Sequence, residues 1–354
     1  MHPGRPLVAV KCKSGELNAL RQLSSADDAQ ADVIVELLDS VKPSGKLLPA
    51  LVQAAVNVAQ FNRTLWLDTT WLTAGSPLAQ QRGGVFEYLD DIIESAMVQS
   101  LGLLAVDRAG LVPVISVDAS NDELRRVRLL IEHKDRDIAI RIRRPAPRLA
   151  ERIRSIMRLT GTEPGRVHAV IDTGFVETVR AHQVASIAEA ATTTSDLLGP
   201  GATKLLAGSI PRERKTYATI LLDRPEVTLW NEVRNGCSGD IGYGDYGVTH
   251  PEPPAAGGNA RSPFPYLCYT VPRRTVILRR KQKKGDVAAE LFADLAEELV
   301  ERDDFAGPGY SWGDRELTQC RPTGSKVAGA VPRWIAMATS HHLQHVSHRP
   351  ADDL

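Results

Sequence analysis

Short runs with a period of two alternate along the chain with longer runs whose apolar residues fall three and four apart. The short runs are LVAVKC (7–12), VIVELL (33–38), TLWLDT (64–69), LVPVISVD (111–118), DIAIRIR (137–143), RVHAVIDT (166–173), KLLAGS (204–209) and IGYGDY (241–246). Period two predicts strands, and spacing of three and four predicts amphipathic helices such as LPALVQAAVNVAQF, NDELRRVRLLIEHK and APRLAERIRSIMRLTG. The strands recur at intervals that hold one strand, one helix and two loops. Eight such units predict an α/β fold, a (β/α)8 TIM-like barrel over residues 1–250. A doubly wound open sheet is the runner-up, since its units have the same local signature.

The faces of the strands favour the barrel. Val33, Val35 and Leu37 share one face of their strand, and Asp32, Ile34 and Glu36 share the other. Leu65 and Leu67 oppose Trp66 and Asp68; Ile138, Ile140 and Ile142 oppose Ala139, Arg141 and Arg143; Val167, Ala169 and Ile171 oppose His168, Val170 and Asp172. A sheet covered on both sides would be apolar on both faces. Here one face is aliphatic and the other mixed, with charge gathered at the C-terminal end of each strand, which suits a barrel mouth.

After residue 250 the texture changes. HPEPPAAGGNARSPFP reads as a loop. YLCYTVPRRTVILRRKQKK predicts a hairpin turning near Pro272, and DVAAELFADLAEELVERDD a helix with Asp286 at its N-cap. FAGPGYSWGDRELTQCRPTGS reads as a loop, and VPRWIAMATSHHLQHV as a last, partly helical segment. We therefore expect a C-terminal extension, 251–354, packed on the barrel.

Composition narrows the function classes. Lys plus Arg and Asp plus Glu both number 43, so no bulk field draws the chain to nucleic acid or to a membrane. Aromatic residues make up 5%, too few for an extended base-stacking platform. Cys12, Cys237, Cys268 and Cys320 lie far apart with no CxxC pair, which predicts reduced thiols. The opening MHPGRPLVAVKCKSGE has no apolar signal-peptide core, and the longest apolar stretch (47–59) is broken by Gln53 and Asn57. These features predict a cytoplasmic protein.

The inward faces place Glu36, Asp68, Asp118, Asp172 and Asp245 at the mouth beside Lys11, Lys13, Arg141 and Arg143. Paired carboxylates can divide acid and base roles or hold a divalent metal. Lys and Arg beside them suit a phosphate or carboxylate. On this reading Glu36, Asp68, Asp172 and Asp245 are catalytic or metal-binding, and Lys11, Lys13, Arg141 and Tyr246 hold a small anionic substrate. The competing reading is a salt-bridge network that plugs the mouth. No phosphate loop, GxGxxG turn, GxSxG elbow or HExxH helix is present. SIPRERK (209–215) offers Ser209, Arg212 and Arg214 as a phosphate loop or as a solvated basic loop. His341, His345 and His348 have spacings that could hold a metal, or could pack on the barrel. RRTVILRRKQKK could meet nucleic acid phosphates, although its alternation fits a half-buried hairpin.

Five motifs stand in order along the chain: VKCKSGELNAL, VIDTG, GDYGVTHP, SWGDREL and WIAMATSHHL. Together they resemble the beta family of bacterial and phage proteins, carried here by Lys11, Lys13, Glu16, Asp172, Asp245, Tyr246, Trp312, Asp314, Trp334, His341 and His342. The resemblance implies phage and mobile-element settings, including defence, and brings no reaction with it. The end of the chain departs from the family pattern: LQHVSHRPADDL is polar, which predicts a short final helix. Two functions follow as expectations. One is a barrel enzyme, a hydrolase as the least specific class, acting on a phosphorylated or nucleotide-like substrate. The other is a non-catalytic scaffold whose C-terminal extension recognises a phage or host protein.

Overall fold

The structure is a computed structural model, and it describes residues 4–24, 30–102, 110–143, 147–213, 216–253 and 265–348. Eight parallel strands close a barrel: β1 (Leu7–Lys11), β2 (Asp32–Leu38), β3 (Leu65–Trp71), β4 (Leu111–Ser116), β5 (Ile138–Ile142), β6 (Val167–Phe175), β7 (Thr203–Gly208) and β9 (Ile241–Asp245). The helices between them are α1 (Ser14–Arg21), α2 (Leu47–Gln60), α3 (Val85–Leu101), α4 (Asn121–Lys134), α5 (Leu149–Thr160), α6 (Ala181–Leu198) and α7 (Pro225–Gly236). Closure is made by β9 on β1, with Leu7 beside Gly244 and Val8 beside Asp245. Gly244 permits it: a Cβ there would lie 2.8 Å from the Leu205 carbonyl and 3.1 Å from Leu7 Cβ.

The aliphatic faces pack outward under the helices, as the alternation predicts, and Val8, Val33, Leu67, Ile140 and Ile171 belong to that core. The barrel interior is filled in layers. At the bottom, Lys204 Nζ donates to Asp32 Oδ2 at 2.8 Å, both buried. Gly242 leaves room for the Lys204 stem, which would lie 3.2 Å from a Cβ at that position. Apolar side chains fill the middle, among them Ala9, Ile34, Trp66, Val114, Ala139, Val170 and Leu206. The charged residues form the top layer.

The C-terminal part adds a three-stranded antiparallel sheet, β10 (Tyr266–Val271), β11 (Arg274–Arg279) and β8 (Ile220–Asp223), with helices α8 (Ala288–Val300), α9 (Trp312–Gln319) and α10 (Val331–His348). The hairpin turns where expected, with Arg273 in the left-handed region (φ 60°). Three expectations are corrected. β8 comes from before residue 250 yet pairs with β11, so the extension's sheet takes a strand from within the barrel segment. The stretch read as a loop contains α9, because the Ser311 Oγ accepts from the Asp314 N–H and starts a helix. The last helix is not short: α10 runs 18 residues to His348 and is buried along most of its length. A smaller correction concerns α8, whose N-cap is Val287; Asp286 instead accepts from the Lys283 N–H.

Among the described residues no helix is long and apolar enough to cross a membrane. All four cysteines are free, with Cys12, Cys268 and Cys320 buried. Burial, helped by Glu16, pushes the Cys12 thiol up to about 12. A thiol reagent at pH 8 is therefore expected to label at most Cys237 in the native protein and all four thiols in denaturant. Rapid native labelling of Cys12 would contradict the packing described.

Candidate functional site

Top-layer side chains come from strand ends whose parity points them inward. Arg141, at the end of β5, is the centre, and 1% of its side chain is exposed. Its Nε donates to Asp172 Oδ2 at 3.0 Å, and its Nη1 donates to Asp68. Its Nη2 lies 2.7 Å from Glu36 Oε1, an ion-pair contact without hydrogen-bond angles, and donates to the Tyr246 hydroxyl. Tyr246 in turn donates to Asp172 Oδ1 at 2.7 Å. Lys11 pairs with Glu36 and also donates to the Pro251 carbonyl. Arg143 Nε lies 3.2 Å from Asp172 and its guanidinium stands over the Trp71 ring at 4.5 Å. Three carboxylates thus face three cations, so the layer is formally neutral.

Burial and charge oppose each other in this layer. Burial would raise the Asp172 pKa, but Arg141, the Tyr246 hydroxyl, Arg143 and the Gly174 N–H outweigh it and hold the carboxyl below the usual range. For Lys11 burial prevails over the pull of Glu36 and lowers the ammonium's pKa. Burial also raises the tyrosine hydroxyl of Tyr246, with Asp172 adding to the shift.

The chain leaving β9 closes this layer from above. Gly247 takes a left-handed turn (φ 59°) with its N–H donating to Asp245 Oδ1 at 2.9 Å. His250 Nδ1 lies 2.9 Å from the Ile210 carbonyl, and Pro251 rests on Gly208, where a Cβ would meet its ring at 3.0 Å. The segment GDYGVTHP is therefore the end of the closing strand together with a strap across the mouth.

Of the residues expected at the site, the structure brings together Lys11, Glu36, Asp68, Arg141, Asp172 and Tyr246. It does not bring Asp245 with them. Asp245 shares a face with Tyr243, and that face is the outer one, beside Val8 and Ala207. There it accepts from Arg224 at 2.9 Å, from the Tyr243 hydroxyl at 2.7 Å and bonds His342 Nε2 at 2.8 Å. Lys13 stands at the N-cap of α1, outside the ring. Asp118 lies beyond β4, exposed and paired with Arg152. Arg212 pairs with Glu252 at 2.8 Å on the surface, and Arg214 falls outside the described residues.

The histidines form a seam rather than a metal site. His341 lies between Asp314 Oδ2 (3.0 Å) and the Thr270 carbonyl (2.8 Å), stacked on Tyr269 at 3.7 Å. His342 links Asp245 to the Thr270 hydroxyl, 2.7 Å from its Nδ1. The group of three potential metal ligands found among the described residues is Asp90, Asp91 and Glu94, far from this seam in sequence, with Asp90 already bound to Arg136 at 3.1 Å.

Beside the ring, where β6 hands over to α6, the surface opens into a cleft of about 570 Å³. Asp172 and Arg143 reach it from the ring, and Phe175, Glu177, Arg180 and His182 line it from the connection. The last four are exposed. Nothing in the sequence marked them. Phe175 ends β6, Glu177 and Arg180 follow it and His182 opens α6, and none matches a motif; the one available signal was the general rule that barrel sites lie where strands hand over to helices.

The family model described as Beta protein matches residues 5–348. No curated protein sequence is significantly similar to the chain. Solved structures similar to it include the catalytic domain of a mannanase from Streptomyces sp. SirexAA-E, at 13% identity over 70% of this chain and 79% of that one (TM-score 0.38). The YdjI aldolase from Escherichia coli K12 matches at 8% identity over 68% and 75% (TM-score 0.33). D-Allulose 3-epimerase from Methylomonas sp. matches at 8% over 68% and 84% (TM-score 0.34).

Proposed function

Since the chain belongs to the Beta protein family, a family here built on a closed (β/α)8 barrel, we propose that it binds a small anionic ligand, phosphorylated or nucleotide-like, in the cleft over β6. The observation that carries this reading is the meeting of an open cleft with Arg143, Arg180 and His182 at its wall and Asp172 at its floor. Guanidinium groups offer paired donors to phosphate oxygens. Asp172 stays ionised near neutrality, so it is no proton donor; its enclosed carboxylate fixes Arg143 for the anion. Hydrolysis is the reaction class proposed for a ligand that is turned over. In it Asp172 is no general base, since a carboxylate held this low is a weak base, and it acts by fixing Arg143. Glu36 and Asp68 fix Arg141 behind it. The phage or phage-defence setting implied by the family resemblance belongs to the same proposal.

A second reading, the barrel as a scaffold for a protein partner, is favoured by one observation: Lys11, Glu36, Asp68 and Arg141 are enclosed under the strap. Calorimetry separates the two. Inorganic phosphate, sugar phosphates and nucleotides, each with and without Mg²⁺, are titrated into the protein and into Arg180→Ala. Binding by at least one class, weakened about tenfold or more in Arg180→Ala, is the expected result, the size of a lost charge-assisted hydrogen bond. If no member of the panel binds, the cleft reading is wrong and the scaffold reading stands.

A further inference from the structure

Within that cleft the side chains divide into two chemical kinds. Arg143 and Arg180 are cationic and His182 adds an imidazole, whereas Phe175 is a large apolar side chain left 39% exposed. Phe175 is the last residue of β6, and its ring is not loose. It lies 5.2 Å from the His250 ring, tilted by 45°, so the strap that closes the barrel also holds this ring in place. The next residue fixes the backbone: the Val176 N–H donates to the Gly208 carbonyl at 2.9 Å. A buried Val176 beside an exposed Phe175 means the strand turns its larger apolar group away from a core that had room for an aliphatic one. Glu177, two residues on, lines the same cleft with a carboxylate that only accepts hydrogen bonds.

We infer that the ligand of this cleft is a nucleotide, its base stacked on Phe175, its phosphate held by Arg143 and Arg180, and its ribose hydroxyls or exocyclic amine donating to Glu177. The inference rests on the anionic-ligand reading and adds the aromatic base to it. Inorganic phosphate has no group for the exposed ring and a sugar phosphate has no π-face, while every base has a π-face that stacks on an aromatic side chain without regard to sequence. A carboxylate is repelled by a second phosphate, yet it suits neutral donors such as hydroxyls and amines. The separation of cations and ring within one cleft therefore matches a ligand that is anionic at one end and aromatic at the other.

The test titrates the whole protein with adenosine and guanosine 5′-monophosphates, ribose 5-phosphate and inorganic phosphate, in wild type, Phe175→Ala and Phe175→Trp. Phe175→Ala loses the contact with His250, so its melting temperature is measured beside binding, and Phe175→Trp keeps a stacking surface if the smaller variant does not fold. The expected result is that a nucleotide binds at least tenfold more tightly than ribose 5-phosphate, that Phe175→Ala removes this margin, and that Phe175→Trp retains it. Equal affinity for nucleotide and ribose 5-phosphate, unchanged in Phe175→Ala, would overturn the inference and leave the anionic-ligand reading intact. Binding of none of the four would overturn both.

Discussion

Replacing Arg141 by Met is expected to unfold the protein or to cost it at least about 3–5 kcal/mol, the usual price of removing one partner from a buried ion network. The variant would leave Glu36, Asp68 and Asp172 facing one another at the top of the barrel with only Lys11 and Arg143 to offset them. Arg141→Lys should rescue little. One ammonium cannot reach three carboxylates and a tyrosine hydroxyl as the planar guanidinium does. The pH dependence separates this cause from simple loss of packing. In the wild type the Asp172 carboxyl is held below its unfolded value, so its contribution is complete above about pH 4 and is lost as the pH falls further. In Arg141→Met the uncompensated carboxylates would favour protonation, so stability should rise as the pH is lowered towards 5. Urea midpoints at pH 5 and pH 8 measure both. A variant as stable as the wild type at pH 8 would show that the ring does not hold the barrel together.

The second large effect is expected at Asp245. Asp245→Ala removes the acceptor for Arg224, Tyr243, His342 and the Gly247 N–H at one stroke. Arg224 would keep Glu226, 2.9 Å away, but the link from β9 to α10 would be gone. A loss of about 3–5 kcal/mol is expected, with faster amide exchange in α10. The Asp245 carboxyl is held far down: burial opposes ionisation, and His342, Arg224 and the Gly247 N–H prevail over it. Its stabilising contribution is therefore present above the unfolded carboxylate value of about 3.9 and disappears only below it. Hydrogen exchange of α10 at pH 7 and at pH 2 should show the helix firmly closed at the first and loosening at the second. No change in α10 exchange in Asp245→Ala would refute the link.

Asp245 also marks where the sequence stops being legible. In β2, β3, β5 and β6 one face is aliphatic throughout, and burial under helices leaves only one way to orient the strand. In β9 the choice lay between Tyr243 with Asp245 and Gly242 with Gly244, and period two does not say which pair faces in. The decision is made by space: Gly244 sits against Leu205 and Leu7, where no side chain fits. Tyr246 then supplies the inward side chain. β8 was illegible for a different reason, since four residues with alternating exposure pair with a strand some fifty positions later. In α10 the polar residues that suggested a short helix are buried and bonded to β9, β10 and α9, so tertiary partners override the local signal. The cleft residues carried no usable signal, because they are exposed at the junction of β6 and α6 and so fall outside the periodicity that burial imposes.

One junction ties these pieces together. Asp245 and Tyr246 are consecutive, and one points out to the last helix while the other points in to the ion ring. During synthesis the barrel's final strand emerges roughly a hundred residues before α10 is complete. Until then Asp245 lacks its histidine, although the strap keeps its own anchors on Ile210 and Lys11. The fully bonded junction therefore needs both ends of this stretch of chain. Barrel and extension are expected to melt as one cooperative body, because the bond joins the closing strand to α10.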